Sequence, residues 1–115
     1  MDIREQRGCP VIVPMPAEID LANAGWVGEQ LRTAASPGVT VIVADLTATE
    51  FCDSAGIRTL LGARDTVAAS HAQLRLAVAR GGAVRRALQA IGLQQVLPLY
   101  PTVAAALAAA PPPAD

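Results

Sequence analysis

The residues able to do chemistry concentrate in one heptapeptide, Phe51-Cys52-Asp53-Ser54-Ala55-Gly56-Ile57. Asp53 or Ser54 would cap a helix starting here, its side-chain oxygen accepting from backbone N–H groups that lack an intrahelical acceptor. The Ser54 hydroxyl would then lie at a helix N-terminus, where an added anion is favoured. Ala55 and Gly56 would leave the surroundings open to a close-approaching macromolecule. Taken alone, Asp-Ser is also an ordinary helix cap, and Cys52 reads as an apolar filler under the loop. Two reactive alternatives are weaker. A serine nucleophile elbow wants Gly-x-Ser-x-Gly, and the single histidine, His71, follows Ser54 by 17 residues along the same helical pattern. At 1.5 Å per residue that is about 25 Å, too far for a triad. Asp45 ends a strand where a receiver's phospho-aspartate would sit. The chain has no lysine, however, and Val13-Pro14-Met15 offers no acidic pair for magnesium.

Composition narrows the field further. The 115 residues carry nine basic groups, all arginine, against ten acidic ones, for a net charge of −1. Without a basic cluster, and with only Trp26, Phe51 and Tyr100 aromatic, the chain lacks the footprint of a nucleic-acid binder. One histidine and two cysteines, Cys9 and Cys52, make neither a zinc site nor a disulfide framework, and no cofactor is expected. Two free thiols suit a reducing, cytoplasmic setting. Residues 1–7 mix charges and contain no apolar signal region, and the apolar run 104–110 is short and stopped by three prolines. No membrane insertion is expected.

The patterning predicts one α/β domain over 1–110 with a frayed proline-rich tail at 111–115. Its sheet would be mixed but mostly parallel, with four to five strands packed by about four helices. Residues 2–7 could add a hairpin-like edge to the strand Val11–Met15, which Pro14 and Pro16 confine to an edge. Asp20 reads as the cap of a helix over 21–35 with an apolar stripe of Leu21, Ala24, Val27, Leu31 and Ala34. Trp26 falls off that stripe, as a partner contact or simply a half-buried residue. Val39–Ala44 has the pattern of a strand buried on both faces. A helix over 54–70 would bury Ile57, Leu60, Leu61, Val67 and Ala68. Leu74–Val78 is the next strand, and Gly81-Gly82 reads as a helix-entry turn. A helix would follow with Val84, Ala87, Leu88 and Ile91 on one face, stopped by Gly92. Arg85 and Arg86 read as a solvated helix face. A short strand at 96–100 and a helix at 102–110 complete the pattern.

The run Val41-Ile42-Val43-Ala44-Asp45-Leu46, followed by Phe51–Ile57 and Leu60-Leu61, resembles the signature of STAS-domain proteins. In that family a buried strand ends in Asp-Leu and an Asp-Ser-[Ser/Ala/Thr]-Gly turn opens a helix. Upstream, Ala17-Glu18-Ile19-Asp20 is similar to the family's Gly-Glu-[Leu/Ile]-Asp element, with Ala17 in place of glycine. Downstream, Val84, Leu88 and Gly92-Leu93 match its Val-xxx-Leu-xxx-Gly-Leu helix. The resemblance covers about residues 3 to 108.

It implies a bacterial anti-sigma factor antagonist, a binding protein rather than an enzyme. Such a protein docks on an anti-sigma factor that is often also a serine kinase. Phosphorylation of the motif serine, here Ser54, abolishes docking, and a PP2C-type phosphatase restores it. The implied partner surface comprises Asp20, Asn23, Asp53, Ser54, Ala55, Gly56, Ile57 and Arg58, on a monomer or weak homodimer. A non-switching scaffold or accessory subunit, of a stress-signalling complex or a lipid transporter, stays open as an alternative.

Overall fold

The computed structural model describes residues 9–109. Strand β1 (Cys9–Pro14) is followed by the two-residue strand β2 (Glu18–Ile19), helix α1 (Ala24–Ala34) and strand β3 (Val39–Asp45). Strand β4 (Phe51–Cys52) leads directly into helix α2 (Ser54–Ala69), then strand β5 (Gln73–Ala77) and helix α3 (Ala83–Ala90). A 3-10 turn at Leu93–Gln95, strand β6 (Leu99–Tyr100) and helix α4 (Val103–Ala108) complete the order. The sheet runs β1-β3-β5-β6 with every pairing parallel, and β2 and β4 form a second, parallel ladder. Parallel pairing follows from the helical crossovers between successive strands.

Burial explains the near-continuous apolar run of β3, because Ile42, Val43 and Ala44 are inaccessible to solvent. Ile42 and Ala44 join Leu74 and Leu76 in the main core, together with Val27, Leu31, Leu60 and Val67 of α1 and α2. The opposite side chains, Val43 of β3 and Ala77 of β5, meet Ala106 of α4 in a smaller cluster. On that second face lies Arg75, only 1% exposed. Its Nε donates to Gln73 Oε1 at 2.7 Å, and Nη1 donates to the carbonyls of Ala106 at 2.6 Å and Ala109 at 3.2 Å. The guanidinium also sits 5.9 Å from the centre of the Tyr100 ring. A buried cation is tolerable only when so partnered, and here it satisfies carbonyls that the end of a short helix leaves open.

The β2–β4 ladder has one inner and one outer face. Ile19 and Cys52 are paired and buried, whereas their neighbours Glu18 and Phe51 are paired and exposed. Main-chain bonds from Glu50 N (2.7 Å) and Phe51 N (3.3 Å) to Ala17 O, and from Asp53 N to Ile19 O (3.0 Å), fix the ladder. The buried Thr49 hydroxyl adds a bond to Pro16 O at 2.8 Å. Gly56 of α2 lies against the inner face so closely that an added Cβ would meet Cys52 Sγ and Ile19 Cγ2 at 2.7 Å. Ala17 needs no left-handed backbone, since among the described residues only His71 combines a side chain with positive φ.

Several sequence expectations change. Helix α1 begins at Ala24 rather than at 21, and Asp20 closes a tight turn instead of capping it: Oδ1 accepts from Ala22 N at 3.0 Å and Asn23 N at 3.3 Å. Leu21 consequently leaves the core and is 79% exposed. In α2, Ala68 is exposed and Ala63 takes a core position; in α3, only Val84 and Leu88 are buried, leaving Ala87 and Ile91 in solvent. The 96–100 strand shortens to two residues because the turn after Gly92, at φ 75°, uses up the preceding segment. Helix α4 is capped by Thr102, whose hydroxyl accepts from Ala105 N at 3.0 Å. The expectations for residues 2–7 and for the 111–115 tail lie outside the described residues.

Two substitutions test this packing. Gly56→Ala is expected to destabilise by about 1–3 kcal/mol in urea unfolding, as overpacking typically does. Gly62→Ala, in the same helix with nothing within 4 Å of the new methyl, is expected to be neutral or stabilising by about 0.5–1 kcal/mol. Equal midpoints for the two variants would contradict the close approach at Gly56. Arg75→Met keeps an apolar stem but removes the carbonyl bonds, and is expected to cost about 1–3 kcal/mol and to speed amide exchange over 103–108. Unchanged exchange there would show that apolar packing alone holds α4.

Candidate functional site

Asp53 organises the candidate site through three bonds. Its N–H donates to Ile19 O, its Oδ1 accepts from Gly56 N at 3.0 Å, and its carbonyl accepts from Ile57 N at 3.0 Å. With φ −90° and ψ −174°, Asp53 is the extended residue that turns strand into helix, and it, not Ser54, is the cap. Ser54 is therefore the first helical residue and is exposed. Among the described residues its hydroxyl makes no hydrogen bond. The next N–H groups of the first turn have no intrahelical acceptor, so the site combines a free hydroxyl with the positive end of a 16-residue helix.

The adjoining turn is locked by reciprocal bonds. Asp20 N donates to Asn23 Oδ1 at 2.9 Å, and Asn23 Nδ2 donates to Glu18 O at 2.8 Å. Because Asp53 N reaches Ile19 O, the ladder brings Asp20 and Asn23 to the same end of the molecule as Asp53 and Ser54. Arg58 is exposed one helical turn beyond Ser54, and Ile57 is half-buried against the core. Ala55 and Gly56 depart from expectation. Both are buried, so they do not open the surface; they let the helix start sit tightly on the ladder.

The remaining candidates separate clearly. Burial, reinforced by the neighbouring Asp53 charge, pushes the Cys52 thiol up to about 11, which keeps it protonated and a poor nucleophile near neutral pH. His71 is exposed beyond the far end of α2, and that helix is continuous, so no Ser54–His71 pair forms. Asp45 Oδ1 accepts from Thr47 N at 3.0 Å and Thr47 Oγ1 at 2.6 Å, serving its own loop rather than the Ser54 turn. Arg85 is tied to the loop before α3, with Nη2 donating to Val78 O at 2.8 Å, and Arg86 Nη1 donates to Gly81 O at 2.8 Å. Trp26 is 55% exposed on α1. Phe51, half exposed beside Glu18, was not singled out by the sequence. Its signal is the in–out alternation of a strand, which two residues are too few to display.

Comparison with known proteins agrees with this geometry. The family model for the STAS domain matches residues 1–106. The anti-sigma-F factor antagonist RsfB of Mycobacterium tuberculosis is 30% identical over 97 residues, covering 84% of this chain and 77% of that protein. The crystal structure of an anti-sigma factor antagonist from Mycobacterium paratuberculosis superposes with a TM-score of 0.73 at 26% identity, covering 84% of this chain and 80% of the other. The fold alone recurs in the murine anion transporter Slc26a9, at 17% identity and a TM-score of 0.68, over 84% of this chain and 17% of that one. No helix among the described residues is long and apolar enough to cross a membrane. A match that runs through both the β2–β4 ladder and the helix it carries leaves one assignment: the chain belongs to the STAS domain family, in the company of anti-sigma factor antagonists.

Proposed function

We propose that this chain is a phosphorylation-controlled anti-sigma factor antagonist acting in the cytoplasm. Unmodified, it docks on an anti-sigma factor through the Ser54 end of the molecule and so frees a sigma factor for transcription. A serine kinase, in the simplest arrangement the anti-sigma factor itself, phosphorylates Ser54 and ends docking; a PP2C-type phosphatase reverses this. The observation that carries the reading is the exposed, unbonded Ser54 hydroxyl on a helix start fixed from below by Asp53 and Gly56. Asp20, Asn23, Asp53, Ile57 and Arg58 surround it and would form the rest of the docking face.

Phosphorylation adds about 1.5–2 negative charges and three acceptor oxygens. At a helix N-terminus the free N–H groups and the macrodipole accommodate that anion. A partner surface fitted to a small hydroxyl instead meets bulk and a charge it must strip of water. A loss of about 3–4 kcal/mol weakens binding several hundredfold.

The test is phosphorylation by a purified anti-sigma kinase of the same cell with ATP, followed by mass spectrometry and affinity measurement. Phosphate is expected on Ser54. Ser54→Ala should bind the anti-sigma factor whether or not kinase and ATP are present, and Ser54→Asp at least tenfold more weakly. Phosphate on another residue, or on Asp45, would overturn the switch. A chain that binds but is never phosphorylated would be a docking domain without one.

A further inference from the structure

The β2–β4 ladder is continuous with a feature that the Ser54 turn does not use. Phe51 and Cys52 form one wall of a cavity of about 220 Å³, and Ala83, Val84 and Ala87 of α3 form the other. A second cavity of about 250 Å³ shares Glu50, Ala83 and Val84 with the first and extends to Leu46, Val78 and Arg85. Together they make one trough along the N-terminal half of α3, beside the C-terminal ends of β3 and β5. Its floor is apolar. Its outer lip is too: Phe51 is 50% exposed, and Ala83 and Ala87 follow one another at helical spacing on the solvent side of α3. Of these, Ala87 has the helical spacing that suggested a core position, yet it is exposed.

We infer that this trough is the apolar half of the anti-sigma factor docking surface, and that it receives an apolar side chain carried beside an arginine or lysine. The inference rests on the functional reading above and extends its footprint. Three observations choose the occupant. Strand β4 runs without a break into Asp53 and Ser54, so a partner seated on Ser54 is already at the trough's edge. A stable interface covers about 800 Å² on each partner, far more than a single turn provides, and exposed aromatics are enriched in such interfaces. Glu18 and Glu50 flank Phe51, both exposed, and among the described residues neither forms an ion pair. An apolar anchor with unpaired carboxylates at its rim fits a partner segment with the complementary charge.

The probe is the purified anti-sigma factor, among those of the same cell, that binds the full Ser54→Ala chain most tightly. In that background Phe51→Ser and Ala87→Glu, both at exposed positions, are each expected to weaken binding at least tenfold. Ile12→Ser, equally exposed on the opposite face of the sheet, should stay within twofold. Glu50→Gln should reduce the salt dependence of binding. In the chain without these substitutions, amides 83–87 should gain exchange protection on complex formation, which tests the surface without relying on any substitution. Undiminished binding by Phe51→Ser and Ala87→Glu, or no protection at 83–87, would overturn the trough while leaving Ser54 docking intact. If the two variants instead abolish only self-association of the chain, the occupant is a second copy and the inference is wrong. If no anti-sigma factor binds Ser54→Ala at all, the functional reading itself fails.

Discussion

The first turn of α2 can approach the β2–β4 ladder only because residue 56 has no side chain. A methyl group there would lie 2.7 Å from both Cys52 Sγ and Ile19 Cγ2, well inside van der Waals contact. Everything that makes the Ser54 end usable depends on that approach. It lets Asp53 bond the ladder with its N–H and the helix with its carboxylate and carbonyl, so one residue joins strand pairing to helix capping. It also sets the phase of the helix. With Gly56 turned inward, Leu60, Ala63 and Val67 enter the core and Ser54 and Arg58 are left on the outside.

A hydroxyl displayed in this way is suited to a change of surface rather than of fold. The buried face of α2, with Leu60, Ala63 and Val67 in the core, would hold the helix in place whatever charge Ser54 carried. At the helix start the macrodipole favours an anion by about 0.3–1 kcal/mol, while Asp53 opposes it across solvent that screens charges over about 8–10 Å. Within the domain the two effects nearly offset one another. In a docked interface water is excluded, screening is lost, and the same charge dominates. The difference between those two environments is what would convert one modification into a loss of affinity.

The sequence showed the large features plainly because they depend on long runs. The β-branched stretch in β3, the apolar spacing of α2 and a helix cap at Asp53 or Ser54 each carry enough residues, or a specific enough chemistry, to be read in isolation. Features that depend on contacts between distant segments were not legible in the same way. Gly56 reads as open space until Ile19 is brought against it. Leu21 fits an apolar stripe, but the Asp20–Asn23 turn delays the helix and turns that side chain out. Strands β2 and β4 are too short for any periodicity. Arg75 sits between the apolar Leu74 and Leu76, and only the arrival of α4 shows why a cation is retained there. Val84 and Leu88 of α3 are core as their spacing suggests, but Ala87 and Ile91 share that spacing and are exposed, because spacing alone does not fix the width of the buried stripe.

The central claim is that Ser54 reports its modification through a surface on a fixed scaffold. Amide spectra of the isotope-labelled chain, recorded before and after stoichiometric phosphorylation of Ser54, test it most directly. The account predicts shifts confined to about residues 50–60 and the adjoining 18–23 turn, with the β5 amides at 73–77 and the α4 amides at 103–108 unmoved. Shifts that spread through β5 to α4 would show that the phosphate rearranges the domain, and would contradict the account.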